Sequence, residues 1–206
     1  MDPKWLDWAK RLQALSQNGL VYTTNPFDID RYKCLRDIAS EIMAENSDLE
    51  KDEMAALFRE QEGYATPKVD LRGVVIEDGK VLMVKERLDG KWTLPGGWAD
   101  TSESPSEGAV REVWEESGYE TKAVRLLAVY DRSKHDHWPP FPFHVYKMFV
   151  LCELTGGEAK TSIETTDVGW FSEDGLPELS TSRILEPQIR RMFELARTPG
   201  LPPDLD

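Results

Sequence analysis

A glycine followed at fixed intervals by acids constrains this chain more than any other feature: Gly97, then Glu103, then the run Arg111-Glu112-Val113-Trp114-Glu115-Glu116-Ser117-Gly118-Tyr119. Upstream, Lys91-Trp92-Thr93-Leu94 reads as a short strand that Pro95-Gly96-Gly97 must end, because proline lacks an N–H and glycine tolerates unusual dihedrals. Downstream, Ser104-Pro105-Ser106-Glu107 has the form of a capping box with proline at the first helical position. The pattern predicts a helix from Pro105 to about Ser117, stopped by Gly118 in a left-handed C-terminal position.

On that helix Glu112, Glu115 and Glu116 share one face, while Val110, Val113 and Trp114 are expected on the side that packs against a sheet. Like charges at this spacing repel by roughly 0.2–0.5 kcal/mol per pair, so folding gains nothing from three glutamates there. A hard divalent cation with oxygen ligands reverses that sign. Three helical glutamates in an acidic chain are usually a solvated face. What marks these is the adjoining glycine turn, where backbone can approach a ligand closely, and a further glutamate, Glu103, at fixed spacing.

The spacing glycine, five residues, glutamate, seven residues, Arg-Glu-aliphatic-x-Glu-Glu-x-Gly-aliphatic is similar at every position to the signature of the Nudix hydrolases, with Tyr119 the one loose fit. The resemblance extends along the chain. Val74-Val75-Ile76 and Val81-Leu82-Met83-Val84 read as strands joined by a tight Asp78-Gly79 turn. Leu126 to Tyr130, Val145 to Leu154 and Val168 to Phe171 follow as strands, and Ile184 to Ala196 as an amphipathic helix. The resemblance implies an α/β fold for residues 67–206, a Nudix-type α/β/α sandwich around a mixed sheet.

Residues 1–66 read as a small all-α N-terminal domain. Trp5-Leu6, Trp8-Ala9, Leu12 and Leu15 recur at helical spacing up to Asn18-Gly19; a second stripe from Tyr32 to Met43 follows Asp28 as cap, and Asp48 to Arg59 forms a third helix. Gly63-Tyr64-Ala65-Thr66-Pro67 punctuates the change to strand pattern. This extension, with the segments at Tyr64 to Asp70 and Gly97 to Asp100, resembles a bacterial Nudix subgroup that includes CDP-choline pyrophosphatases. Relatives of that kind dimerise, and the apolar face bearing Trp5 and Trp8 implies a homodimer.

The resemblance implies metal-dependent hydrolysis of a diphosphate linkage, with Glu112, Glu116, Glu115 and the Gly96 carbonyl holding Mg²⁺ or Mn²⁺, Arg111 orienting a glutamate, and Glu103 one layer out. The base that activates water varies across the family. Here it is Glu164, in the segment Thr161 to Asp167, or Glu115. CDP-choline is the favoured substrate, with ADP-ribose or a nucleotide sugar as the alternative; RNA processing and non-hydrolytic nucleotide sensing are readings of other classes. Among the cations near the site, Arg72, Lys85, Arg87, Arg132, Lys134 and Lys147, the substrate contacts are assigned to Arg72 and Arg87, with Trp98 available to stack on a base.

A net charge of −13 argues against long nucleic acid, whose affinity rests on neutralising phosphates. A small anionic nucleotide carried as a metal complex is compatible with it. No apolar run is long enough for a membrane span, and the start lacks a signal peptide's apolar core, so a cytoplasmic location is expected. Cys34 and Cys152 fall in separate apolar stripes and are expected as buried thiols. His135 and His137 lie in a polar, proline-rich loop from Asp131 to Pro142, where exposed histidines are expected, and with His144 they lack zinc-site spacing. Trp138, Phe141 and Phe143, in or next to that loop, stack on a base or belong to a core.

Overall fold

The computed structural model describes residues 2–47 and 50–206, and these divide into two compact units: one holding the segment up to Pro67 with Pro140–His144, the other Lys68–Pro139 with Val145–Asp206. In the first, α1 (Lys4–Tyr22), α2 (Pro26–Ala44) and α3 (Lys51–Arg59) surround a core of Leu6, Ala9, Ala39, Met43, Met54 and Phe58. Phe143 enters this core from a distant part of the chain, edge-on to Phe58 at 6.1 Å. The expected stop at Gly19 does not occur. A Cβ there would lie 2.3 Å from the Tyr32 ring, so this glycine is where α2 lies across α1, and the helix continues to Tyr22. Asn25, not Asp28, caps α2, its Oδ1 accepting from Phe27 N–H at 2.9 Å with Pro26 following. The expected start of the third helix at Asp48 lies outside the described residues; Glu50 caps α3. Cys34 is exposed rather than buried, because its side of α2 faces solvent, whereas Cys152 is buried.

The second unit is built on a mixed sheet. Strands β1 (Lys68–Glu77), β2 (Lys80–Glu86), β3 (Trp92–Thr93), β4 (Tyr119–Asp131), β5 (Val145–Gly157), β6 (Thr165–Ser172) and β7 (Asp204–Leu205) run in the order β3-β2-β1-β5-β4-β7, with β6 paired to β2. β1 and β5 are parallel from Lys68↔Val145 to Val75↔Cys152, and β4 lies antiparallel to β5. Alternation along β1 sorts the two faces. Val75 packs with Ala109 and Val113 of α4 (Pro105–Ser117), while Val74 packs with Ile189, Met192 and Phe193 of α5 (Glu186–Arg197). Each such fully buried valine, isoleucine, methionine or phenylalanine stabilises the fold by about 1.5–3 kcal/mol. The result is a Nudix-type α/β/α sandwich preceded in sequence by helices.

α4 is capped as its sequence demands. Ser104 Oγ accepts from Glu107 N–H at 3.3 Å, Glu107 returns a carboxylate to Ser104 N–H at 2.8 Å, and Gly118 stops the helix at φ 77°. Its placement departs from expectation in one respect. Trp114 is 56% exposed and does not join the sheet contact, whereas Glu112 and Glu116 are on the buried side with Ala109 and Val113. The helix reaches this depth because Gly73 of β1 has no side chain: a Cβ there would stand 2.2 Å from Val113 Cγ2. No helix among the described residues is long and apolar enough to cross a membrane.

Candidate active site

β1 and β2 pair only beside their turn, at Ile76↔Val81 and Glu77↔Lys80. Farther along, the Pro95-Gly96-Gly97 loop takes β2's place: Leu71 N–H donates to Gly97 O at 2.8 Å and Gly73 N–H to Pro95 O at 2.9 Å. Gly96 has φ +149°, and a Cβ at that position would meet the Leu71 carbonyl oxygen at 2.0 Å, so no other residue fits. Its N–H donates to Glu116 Oε2 at 2.9 Å, and a Cβ on Gly97 would stand 3.0 Å from the Glu112 carboxylate. The strand edge thus carries the loop, and the loop meets α4 through these two glutamates.

Arg111 gathers the remaining acids. Its Nε and one terminal nitrogen bind both oxygens of Glu103 at 2.9 and 2.8 Å, and the other terminal nitrogen binds Glu112 Oε1 and Glu115 Oε2, each at 2.9 Å. These bonds pull the Glu103 carboxyl down to about 2, with help from Asp100 N–H. Glu112 and Glu116 go the other way. Burial pushes Glu116 up to about 8, against the positive charge of Arg72 and the Gly96 N–H, and Glu86 and Glu112 add to the rise. Burial likewise raises Glu112, opposed by Arg111.

As the side chains lie, no three acid, histidine or cysteine groups among the described residues converge into a metal cage. Arg111 occupies oxygens of three glutamates and Gly96 holds the fourth. The donor set nevertheless suits a hard cation: all oxygen, two members buried, and a single guanidinium, Arg111, shared among Glu103, Glu112 and Glu115.

The segment carrying Glu164 is fastened to the same helix. Thr165 Oγ1 donates to Glu116 O at 2.9 Å, and Lys160 N–H donates to Ser117 O at 2.8 Å. Glu164 itself is exposed. Arg87, expected as a substrate contact, donates to the carbonyls of Ser162, Ile163 and Thr165 in this segment at 3.3, 2.8 and 3.2 Å. Arg72 is buried, with Nε on Asp70 at 2.9 Å and a terminal nitrogen on Leu94 O at 3.0 Å. Trp98 is half-exposed beside Gly97, and its backbone bridges Asp70.

Sequence reasoning missed three charged residues around these, Asp70, Glu86 and Arg183. Asp70 holds Arg72 and the fully buried Lys147 together, and Glu86 is buried at the end of β2 against Arg183. Asp70 and Arg72, two apart on one strand and hence on one face, carried a signal; Arg183, remote in sequence, carried none. The expectation of idle, exposed histidines fails for His137. It is buried, its Nδ1–H donates to Thr181 O at 3.0 Å, and its Nε2 stands 3.3 Å from the Gln188 amide, which donates to it. Burial, reinforced by Lys147 and Arg132, pushes it down to about 3 and keeps the ring neutral. His135 is tied to Asp206 at 3.1 Å.

Comparison with known proteins agrees with this geometry. Residues 67–193 match the model of the NUDIX domain, and residues 3–58 match one described as a UDP-X-like N-terminal oligomerisation domain. YjhB of Bacillus subtilis (strain 168), by its name a candidate ADP-ribose pyrophosphatase, is 42% identical over 95% of this chain and 94% of its own length. The crystal structure of a UDP-X diphosphatase superposes with a TM-score of 0.64 at 33% identity, covering 98% of both chains. That of an ADP-ribose pyrophosphatase from Streptococcus suis 89-1591 gives 0.60 at 34%, covering 68% of this chain and all of that one. With the signature on a buried helix face, its glycine loop on the sheet edge and these matches, the chain belongs to the Nudix hydrolases.

Proposed function

We propose that this enzyme is a divalent-metal-dependent pyrophosphatase that splits a nucleoside diphosphate joined to a second group, releasing a nucleoside monophosphate and a phosphorylated remainder. One observation carries the reading: Glu112 and Glu116 are buried side by side against the Gly96 loop, where a cation complexed with a diphosphate completes their charge balance. Glu112, Glu116, Glu115 and the Gly96 carbonyl are the residues to hold Mg²⁺ or Mn²⁺. Bound there, the metal neutralises phosphate oxygens and makes water more acidic. Arg111 sets the rotamers of Glu112 and Glu115 and carries Glu103 as its counter-ion. Glu164 takes the proton from water: Glu115 already accepts from Arg111, while the Glu164 segment is tied to α4 through Thr165.

The relatives named for ADP-ribose and for UDP-linked substrates support a nucleotide joined to a sugar, with ADP-ribose first. CDP-choline is the alternative, with Trp98 as the aromatic face for its quaternary ammonium. The test is phosphate release, through a coupled phosphatase, from ADP-ribose, UDP-sugars and CDP-choline with Mg²⁺ or Mn²⁺. Glu164→Gln is expected to lower turnover by about 10²–10⁴-fold and Glu115→Gln by less. Equal losses in both would move the proton to Glu115, and metal-dependent cleavage of no substrate would sink the reading.

The helical unit forms a homodimer in this proposal, in keeping with the oligomerisation domain that its residues match. Trp8, Leu15 and Tyr22 recur every seven residues on α1, and each is more than half exposed. A protein of this size does not ordinarily leave such an apolar stripe in water. Trp8→Glu combined with Leu15→Glu should give monomer mass by light scattering at micromolar concentration where wild type gives a dimer. A wild-type monomer would remove the proposal.

A further inference from the structure

Arg183 is mounted in a way that a merely structural arginine does not need. It sits in the turn before α5, closed by Arg183 N–H and Ile184 N–H donating to Ser180 O at 2.8 and 2.9 Å. Ser180 is fastened in turn to Trp92 O through its N–H at 2.8 Å and to Asp89 through its hydroxyl at 2.7 Å, and Ile184 is fully buried. From this fixed mount the guanidinium Nε meets Glu86 Oε1 at 2.9 Å. Glu86 is only 4% exposed, at a bulge of β2 where its N–H is bound to Lys91 O.

The other edge of the fork is under-used. One terminal nitrogen has only the Ser180 and Ser182 hydroxyls at 3.5 Å each and Asp89 at 4.0 Å, and the second makes no hydrogen bond among the described residues. Arg191, whose task is to hold Asp204, spends its fork on both carboxylate oxygens at 2.7 Å. Arg72 is sealed by Asp70 and Leu94. Arg183 retains 26% of its side chain in solvent with donors to spare.

Its location gives those donors a use. Glu86 lies within electrostatic reach of Arg72 and Glu164, and Glu116 within reach of Glu86, so the Glu86–Arg183 pair borders the charges of the catalytic face. A buried carboxylate placed beside other acids costs stability; it is retained here with its one close partner held in a single orientation. A planar fork with a free edge matches the paired oxygens of a phosphoryl group.

We propose that Arg183 is a substrate-binding residue that grips non-bridging oxygens of the substrate's diphosphate, and that Glu86 is the positioning residue that aims it. The inference rests on the reading of this enzyme as a pyrophosphatase, and its test separates the two. Binding of inorganic pyrophosphate in Mg²⁺ is measured by calorimetry beside KM and kcat for ADP-ribose. Arg183→Ala should weaken pyrophosphate binding and raise KM by about 10–100-fold with kcat within about threefold, the pattern of a lost ground-state contact. Added guanidinium should restore part of the affinity, which a structural role would not allow. Glu86→Gln should move KM in the same direction by less, and Arg183→Lys, which keeps the charge and loses the fork, should fall between and decides the matter where the alanine variant does not fold. Unchanged pyrophosphate affinity and KM in a folded Arg183 variant overturn the proposal. Weakened pyrophosphate binding without cleavage of any nucleotide upholds the subsite and overturns the substrate reading.

Discussion

Glu116→Gln is expected to abolish metal-dependent turnover, by about 10³-fold or more, while making the metal-free protein more stable at alkaline pH. The two effects have one cause. Glu116 is buried against the Gly96 N–H, and burial raises its carboxyl from an ordinary 4.5 to about 8. A shift of that size corresponds to something on the order of 5 kcal/mol between its protonated and ionised forms in the fold. Because the folded value is the higher one, the folded chain holds this proton more tightly than the unfolded chain. That contribution is complete below about pH 4.5 and is lost as pH rises through about 8. The metal-free wild type should therefore melt at lower temperature near pH 8 than near pH 5.5, and the glutamine variant should show a smaller difference. Its amide oxygen can still accept from Gly96, so the loop stays in place. Added Mg²⁺ should raise the melting temperature of wild type, as any ligand of the native state does, and leave that of the variant unchanged. Retained turnover, or a metal-free wild type with no stability loss toward pH 8, would refute the assignment.

What the sequence disclosed about this site was its backbone logic. Ser104, Pro105, Glu107 and Gly118 act through contacts within a few residues of themselves, and each sits as its local chemistry requires. The same holds for the Asp78-Gly79 turn, where both residues have positive φ. The burial of Glu112 and Glu116 was not legible, because periodicity assigns carboxylates to water; it takes Gly73 and the Gly96 loop, brought from other elements, to draw that face inward. Trp114 was misplaced by the same rule in reverse, one helical step away from Val113. Strand β7 is too short for any pattern to declare. What Arg87 and Arg183 bind was not legible for a further reason: a guanidinium's partners depend on which loops lie beside it, and sequence spacing says nothing about segments 76 to 97 residues apart.

Replacing Asp70 with alanine should be the most damaging change outside the glutamate cluster. Its carboxylate is the shared counter-ion of Arg72 and Lys147, and all three side chains are buried. Burial opposes ionisation of Asp70, but the two cations outweigh it and hold the carboxyl below its ordinary range. One anion between two cations leaves positive charge in excess, and Lys147 bears the difference: burial and Arg72 bring it down to about 8 in spite of Asp70. Without Asp70 both cations are stranded, which costs about 3–5 kcal/mol. The melting temperature should fall by roughly 6–20 °C. Lys147→Met should be far milder, since it leaves Arg72 and Asp70 as a balanced pair, and adding it to the Asp70→Ala variant should recover part of the loss. The sign of the lysine's pH dependence checks the same picture. Its folded value lies below the ordinary 10.5, so the unfolded chain binds more protons between about pH 8 and 10.5, and stability rises with pH across that window. Lys147→Met should flatten that rise. A methionine variant as damaged as the alanine one, or an Asp70→Ala protein that melts with wild type, would show that the three charges do not act as a unit, and Arg72 would then lose its claim to a fixed place beside Glu116.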